Sequence, residues 1–434
     1  MDFPSWGRFP EVTQRAHHLR WRDDLRLPTG NDTLLPYGQG RSYGDCCLNS
    51  GGTILVTQGL NRFIEFDEAS GMLHAESGVT LADILEMAVP RGWFLPVTPG
   101  TKFVSLGGAI ANDVHGKNHH CAGNFGRYVK GFELLRSDGK RYQCSSTENA
   151  DLYRATIAGL GLTGLITAAT LQLKKIAGPR IDAEDIKFGS LAEFFEISSD
   201  SAARFEYTVA WLDCVSSGKN FGRGIFMRGN HADSEIPTRK KRSGFLGVPF
   251  NLPEFCLSPF TMRTFNALYY HKQARKLERH LVDYNPFFYP LDSVKNWNRI
   301  YGKRGLIQFQ CVIPRADGKQ VMEKILRAIV ASGRASFLAV LKEFGDLPSV
   351  GMLSFPRPGI TLALDFPCTP ETIRLSRVLE EVVNDAGGAL YPAKDALMQA
   401  ESFQSYYPAW RDFAKYMDPR FSSSLWRRVS GSPV

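Results

Sequence analysis

Residues 96–129, PVTPGTKFVSLGGAIANDVHGKNHHCAGNFGRYV, carry the reading that decides the fold. Glycine costs about 0.5–1 kcal/mol relative to alanine inside a helix or strand, so this density marks a backbone that turns tightly or lies close to a ligand. Gly107 and Gly108 lead into the apolar AIA, and His115, Lys117, His119 and His120 follow as ring and ammonium donors. The stretch reads as one wall of a cofactor site.

The rest of the chain is consistent with a large soluble enzyme. Its 434 residues, 43% of them hydrophobic, are enough for a sizeable core and more than one domain. With 52 basic and 44 acidic residues the net charge is +8, which favours anionic partners such as phosphates or acidic lipid headgroups over nucleic acid. Among eight cysteines only Cys46 and Cys47 are close in sequence, and no CxxC pair occurs, so reduced thiols and a cytoplasmic location are expected. The N-terminal segment has no continuous apolar run, which argues against a secretory signal. Residues 155–173, ATIAGLGLTGLITAATLQL, are uncharged over a near-membrane length, but the glycines of the first half and the strand pattern of LITAATLQL divide them into a turn and a buried strand.

Between residues 34 and 173 short apolar runs alternate with turn signals, the pattern of a mixed α and β unit. A hairpin is expected across residues 68–71, then a helix capped by Thr80 with Asp83 in the capping-box position and ended by Pro90 and Gly92. Further on, residues 181–213 read as strands around a helix, and residues 316–332 as an amphipathic helix among the strands LIQFQCVIP, FLAVLKEF and ITLALDFP. Residues 228–260 break the pattern and read as a long mobile loop. Its basic run at 239–242, followed by Phe245, Leu246 and Phe250, suits an anionic membrane surface.

Two familiar motifs are present in the wrong setting. Residues 159–164, GLGLTG, satisfy GxGxxG, but a helix-like segment precedes them and a strand follows, the reverse of a dinucleotide-binding turn. Residues 40–44, GRSYG, satisfy GxSxG, yet DCCLNSGG after them is poor helix material, so the serine lacks the support of a nucleophile elbow. The alternative reading of GQGRSYG is an anion-binding nest in which backbone N–H groups, Ser42 and Arg41 all donate to a diphosphate.

Taken in order, GQGRSYGD, PGTKFVSLGGAIANDVHGKNHH and GLGLTGLI resemble the vanillyl-alcohol-oxidase (PCMH) type of FAD-binding fold. Within it, AWLD at 210–213, WNRIYG at 297–302, LIQFQCVIP, FLAVLKEFG, LDFP and LYPAKDA at 390–396 make the chain similar over nearly its whole length to the decaprenylphosphoryl-β-D-ribose 2′-oxidase family. That resemblance implies an α+β architecture with an FAD domain at 1–177, a substrate domain at 178–388 built on an antiparallel sheet, and a segment at 389–434 returning to the FAD domain. It implies that Gly38, Gly40, Arg41, Ser42 and Tyr43 hold the diphosphate. Pro99, Gly100 and Thr101, then Gly107, Gly108, Ala109 and Asn112, would line the FAD. His115, Gly116, Tyr391 and Ala393 would add to that lining, and Gly161, Gly164 and Leu165 would close over it. Many relatives attach the flavin to a histidine in the first loop; here that loop reads Gln39-Gly40-Arg41-Ser42-Tyr43, so a dissociable FAD is expected.

Oxidation of a secondary alcohol needs a hydride acceptor and a base for the hydroxyl proton. Lys394 is the leading candidate for base or essential donor, because a lysine in a desolvated pocket loses basicity; Tyr391 and His115 are its rivals. Gln308 and Gln310 share a strand face, as do Lys342 and Phe344, and with Asp365, Trp211 and Lys117 they are the candidate substrate contacts. His119 and His120 read as structural donors, and no metal site is expected, since adjacent side chains diverge and no carboxylate stands at ligand spacing. Ala363 departs from the best-known relatives, which carry a cysteine there, so thiol-directed inhibition is not expected to carry over.

The resemblance implies FAD-dependent oxidation of a polyprenylphosphoryl ribose at its 2′-hydroxyl, the first half of epimerisation to the arabinose, in arabinan and cell-wall synthesis. A separate NADH-dependent reductase and peripheral contact with the inner face of the plasma membrane come with it. The alternatives are a soluble alditol or aldonolactone oxidase of the same fold, and a flavin- or lipid-sugar-binding protein without turnover.

Overall fold

A computed structural model describes residues 3–234 and 246–431. Three sheets carry the fold. The strands Arg15–His18, Thr53–Val56 and Leu34–Tyr37 form a small parallel sheet, with Thr53–Val56 in the centre. A five-stranded antiparallel sheet follows, its central strand Leu165–Gln172 paired on one side with Met72–Glu76 and on the other with Val129–Leu135. The third sheet has eight antiparallel strands and runs from the edge strand Leu277–Asp283 to the short strand Ala389–Leu390. Helices are segregated from the strands rather than crossing between parallel ones, as an α+β chain requires.

Local sequence accounts for the elements around the ligand wall. The hairpin Phe63–Asp67 to Met72–Glu76 turns where the SG dipeptide stands, with Gly71 at positive φ. The helix Leu81–Ala88 has its capping box, Thr80 accepting from Asp83 N–H while the Asp83 carboxylate accepts from Thr80 N–H. Gly92 ends the segment in the left-handed region, where a Cβ would be strained. GLGLTG does follow a helix, Ala150–Thr156, and lead into a strand, Leu165–Gln172. After GRSYG comes a single 3₁₀ turn, Asp45–Cys47. The eight cysteines are all free.

Period-two alternation in the large sheet separates a core face from a site face. Ile307, Phe309, Cys311, Leu341, Leu362 and Leu364 are buried in the main hydrophobic cluster with the helices Leu191–Ala202, Gly318–Ser332 and Pro370–Asp385. Their neighbours in sequence point the other way. On that second face Gln310, Ala363, Val340 and Trp211 form one row across four strands by direct register.

The segment 228–260 is not one long loop. Residues 228–231 complete the strand Gly224–His231, Leu246–Gly247 pairs with Val294–Lys295, and a helix starts at Pro259 behind the Ser258 cap. The basic run at 239–242 and Phe245 lie outside the described residues. Among the described residues no helix is long and apolar enough to cross a membrane.

The C-terminal segment splits its contacts. Ala389–Leu390 pairs with Leu306–Ile313 of the large sheet, while beyond it Phe421 bridges Leu34 of the small sheet. Arg428, on the helix Ser424–Ser430, gives two bonds to Asp45, at 2.8 and 2.9 Å, and one to Asp395 at 2.8 Å. Burial raises the Asp45 pKa, and Arg428 opposes that rise. This charge triad ties the end of the chain to the turn after GRSYG and to the loop carrying Lys394. Replacing Arg428 with Leu leaves both carboxylates buried without their cation and should cost about 3–5 kcal/mol. The check is a lowered denaturation midpoint; a midpoint equal to wild type would show that the triad holds nothing.

Candidate active site

A cavity of about 890 Å³ lies between the glycine-rich wall and the second face of the large sheet. Its size is in the range of cofactor-binding clefts. One wall comprises the loop at 38–43, residues 98–101, the helix Leu106–Ala111 with Asn112, residues 114–117, and the turn at 160–166. The opposite wall is the row Gln310, Ala363, Val340 and Trp211, flanked by Gln308, Lys342 and Thr361, with Tyr391, Ala393 and Lys394 closing the end.

His115 joins the two walls. Its Nδ1 lies 2.9 Å from Lys342 Nζ, which also donates to Gly116 O at 2.8 Å. Its Nε2 lies 3.1 Å from the Gln310 amide, which also lies 3.3 Å from the Thr361 hydroxyl. With Nδ1 accepting from Lys342, the neutral ring carries its proton on Nε2, so Gln310 must turn its amide oxygen to the ring, an orientation that shape alone does not distinguish. Burial holds the His115 pKa far below its usual value, and nearby Lys342 reinforces this. The ring is a neutral strut.

Lys117, Lys342 and Lys394 all face the cavity, and each is less basic than an ordinary lysine because the site desolvates it. Lys342 falls to about 7, burial being aided by repulsion from Lys117 and Lys394. Lys117 falls to about 8 despite an opposing pull from Asp185, and donates to Phe287 O at 2.5 Å. Lys394 falls to about 8 through burial, opposed by Asp365. Its Nζ sits 3.9 Å from the centroid of the Tyr43 ring. Asp365 is buried behind Gln308, which donates to it, and burial pushes its pKa up while Lys394 pulls it down. Tyr391 gives its hydroxyl to Asn112 O at 2.8 Å and stacks on Phe355, and burial drives its pKa well above the usual value. It is a clamp on the glycine-rich wall and a poor proton acceptor.

Most of the residues picked from sequence meet at this cavity. Three do not line it. Ala109 is on the buried side of its helix, Phe344 is fully buried against His115 and His119, and Asp365 is covered by Gln308. The nest reading of residues 38–43 also needs correction, because Tyr43 N–H is already given to Ala393 O at 3.0 Å. Tyr43 contributes its ring instead, and Arg41 stands over the Trp6 ring at 4.3 Å. His119 accepts from Gly345 N–H and His120 contacts Phe205 O and Thr208, so both are structural. Among the described residues no cluster suits a metal ion.

Sequence reading missed Ser77, Thr361, Cys46 and Trp6, all on the cavity wall. Thr361 was within reach, two residues from Ala363 on the same strand face. Ser77 follows a hairpin and Trp6 stands in an N-terminal segment without pattern, so neither carried a signal.

Residues 27–145 match the FAD binding domain family. The site fits that cofactor: Ser77 Oγ and Asn112 Oδ1 are buried on the cavity wall without partners, and a Cβ on Gly100 would meet nothing within 4 Å. Gly40, at φ +60°, stands where a Cβ would strike the Tyr37 hydroxyl, so the loop is built for a bare backbone. Over 415 residues the chain is 34% identical to the decaprenylphosphoryl-β-D-ribose oxidase of Mycolicibacterium smegmatis, covering 92% of this chain and 90% of that protein. It is also 30% identical over 369 residues to an uncharacterized Streptomyces coelicolor protein from the mprA 5′ region, 81% of this chain and 100% of that one. Similarity to L-gulonolactone oxidase of Mus musculus, 29% over 144 residues, spans only 33% of this chain and 32% of that enzyme. With FAD as its cofactor, the chain belongs to the decaprenylphosphoryl-β-D-ribose oxidase family of FAD-dependent oxidoreductases.

Proposed function

We propose that the chain oxidises the 2′-hydroxyl of a polyprenylphosphoryl-β-D-ribose to the ketone, with residues 1–177 and 389–434 holding FAD and residues 178–388 the substrate. The observation that carries this reading is the facing of Gln308, Gln310 and Lys342 across one cavity from a glycine-rich wall that bears Lys117, with Lys394 closing the end, all three lysines being desolvated. FAD, when bound, supplies the acceptor for the hydride leaving C2′. The hydroxyl proton must go to the protein. Lys394 is the base: Tyr391 is held protonated, and both ring nitrogens of His115 face hydrogen-bond partners. An ordinary lysine is neutral in about one molecule in a few thousand at pH 7, whereas one titrating near 8 is neutral in about one in ten. Gln308 and Gln310 orient the sugar, and Lys117 with Arg41 supplies the positive field that anionic groups require.

The partial match to L-gulonolactone oxidase, a third of each chain, gives the aldonolactone alternative much less support than the near-full-length match gives the lipid-sugar reading. The ketone needs a hydride returned to the opposite face to complete epimerisation to the arabinose, which a separate NADH-dependent reductase would deliver. A lipid-linked substrate also calls for contact with a membrane surface, which in this reading is the inner face of the plasma membrane.

Lys394→Ala should keep its FAD yet slow anaerobic flavin reduction by about 10²–10⁴-fold. Wild-type bleaching rates in that variant would remove Lys394 from the mechanism. Because the base acts when neutral, the wild-type reduction rate should rise with pH and level off above about 8. Lys394→Arg, cationic throughout, should flatten that limb; a rate that falls through the same range would make Lys394 a proton donor instead. Asp365 holds the proton on Lys394, so Asp365→Asn should move the rising limb to lower pH. A limb that stays in place would show that Asp365 acts only through packing.

A further inference from the structure

The helix Pro259–Lys272 and the edge strand Leu277–Asp283 line the cavity through Tyr269, His280 and Val282, and with Tyr269 and Val282 half-buried and His280 exposed they border a mouth open to solvent. The helix is anchored by one side. Met262 and Asn266 are buried, Asn266 donates to Asp213 at 3.1 Å, and Tyr269 packs on Trp211 with ring centroids 4.7 Å apart. At 100° per residue, Phe260, Thr264, Leu268 and His271 fall on the opposite side. That side should be polar in a surface helix, yet Phe260 is 77% exposed and Leu268 68%. Of the ten large hydrophobic residues that are exposed among the described residues, five stand on these two elements: Phe260, Phe265, Leu268, Leu277 and Leu281. Single exposed apolar residues need no explanation, but this concentration at one cavity mouth does.

The surrounding charge selects the partner. Residues 259–280 carry five Lys or Arg against one Glu, and Arg263, Lys272 and Arg275 are exposed. An exposed apolar stripe within a basic collar fits the boundary between headgroups and acyl chains of an anionic bilayer. We infer that the solvent face of the helix Pro259–Lys272 docks on an anionic phospholipid surface and sets the cavity mouth against the membrane from which a lipid-linked substrate enters. This rests on the lipid-sugar reading above.

The test uses the FAD-loaded full chain with vesicles of phosphatidylcholine mixed with phosphatidylglycerol, and of phosphatidylcholine alone. Cosedimentation should be strong with the mixed vesicles. In Phe260→Ser/Leu268→Ser, partitioning should fall by about tenfold per side chain. In Arg263→Gln/Arg275→Gln, binding to mixed vesicles should fall by about fivefold per charge, with little change for the neutral vesicles. All these variants should bleach the flavin at wild-type rates with a short-chain, water-soluble phosphoryl ribose and lose rate only with a long-chain substrate held in vesicles. Wild-type partitioning in the apolar double variant would overturn the docking surface, as would failure of the native chain to bind either vesicle. A concentration-dependent dimer dissolved by Phe260→Ser/Leu268→Ser would assign the face to a second copy instead and overturn it too. If vesicle binding behaves as expected while neither substrate bleaches the native flavin, the docking surface stands and the substrate reading falls.

Discussion

The site depends on one clasp, the contact of His115 with Lys342 and Gln310. His115 belongs to the glycine-rich wall, and its two partners stand on the strands either side of Gly359–Pro367 in the eight-stranded sheet. With the bond from Lys342 to Gly116 O, that contact fixes the spacing of the two walls across this part of the cavity. The clasp is also self-consistent in charge: a neutral imidazole accepts from one partner and donates to the other, and burial beside lysines keeps it neutral. A protonated ring would put a third cation beside Lys342 and Lys394 and lose its acceptor.

The same burial that makes the clasp stable makes the lysines reactive. Three ammonium groups share a desolvated space whose balancing carboxylates are few, so each is less basic than in water. Removing an ion from water is costly, and a site that keeps three lysines at that cost is arranged to receive negative charge. Anionic phosphate and the negative charge that develops on a hydroxyl oxygen as its proton leaves are the two forms of that charge an FAD-dependent oxidation of a phosphoryl sugar brings in. Asp365, placed behind Gln308, gives one of the three lysines a counter-charge without occupying the cavity.

Much of this was legible in the sequence where a local rule and the tertiary structure agree. The Thr80 and Asp83 cap, the glycine-ended helix, and the strands bearing Gln308, Gln310 and Lys342 all obey their own period. Period two gave the correct face for Phe344 and Asp365 but not their distance from the ligand, because the face extends beyond the cavity. The helix Pro259–Lys272 was unreadable for a different reason. Its apolar residues lie on both the buried and the solvent side, so the 3.6-residue pattern that marks a surface helix is absent. Tyr43 shows the limit of motif reading: its N–H is spent on Ala393, a residue 350 positions away that no local pattern connects.

In the proposed reaction this cavity removes hydrogen from C2′ of a polyprenylphosphoryl ribose. That removal is tested most directly by anaerobic stopped-flow absorbance of the FAD-loaded protein with that substrate, normal and deuterated at C2′. Full loss of the oxidised flavin band is expected, slowed several-fold by deuterium at that carbon. Tight binding of the substrate with an unchanged flavin spectrum would contradict it.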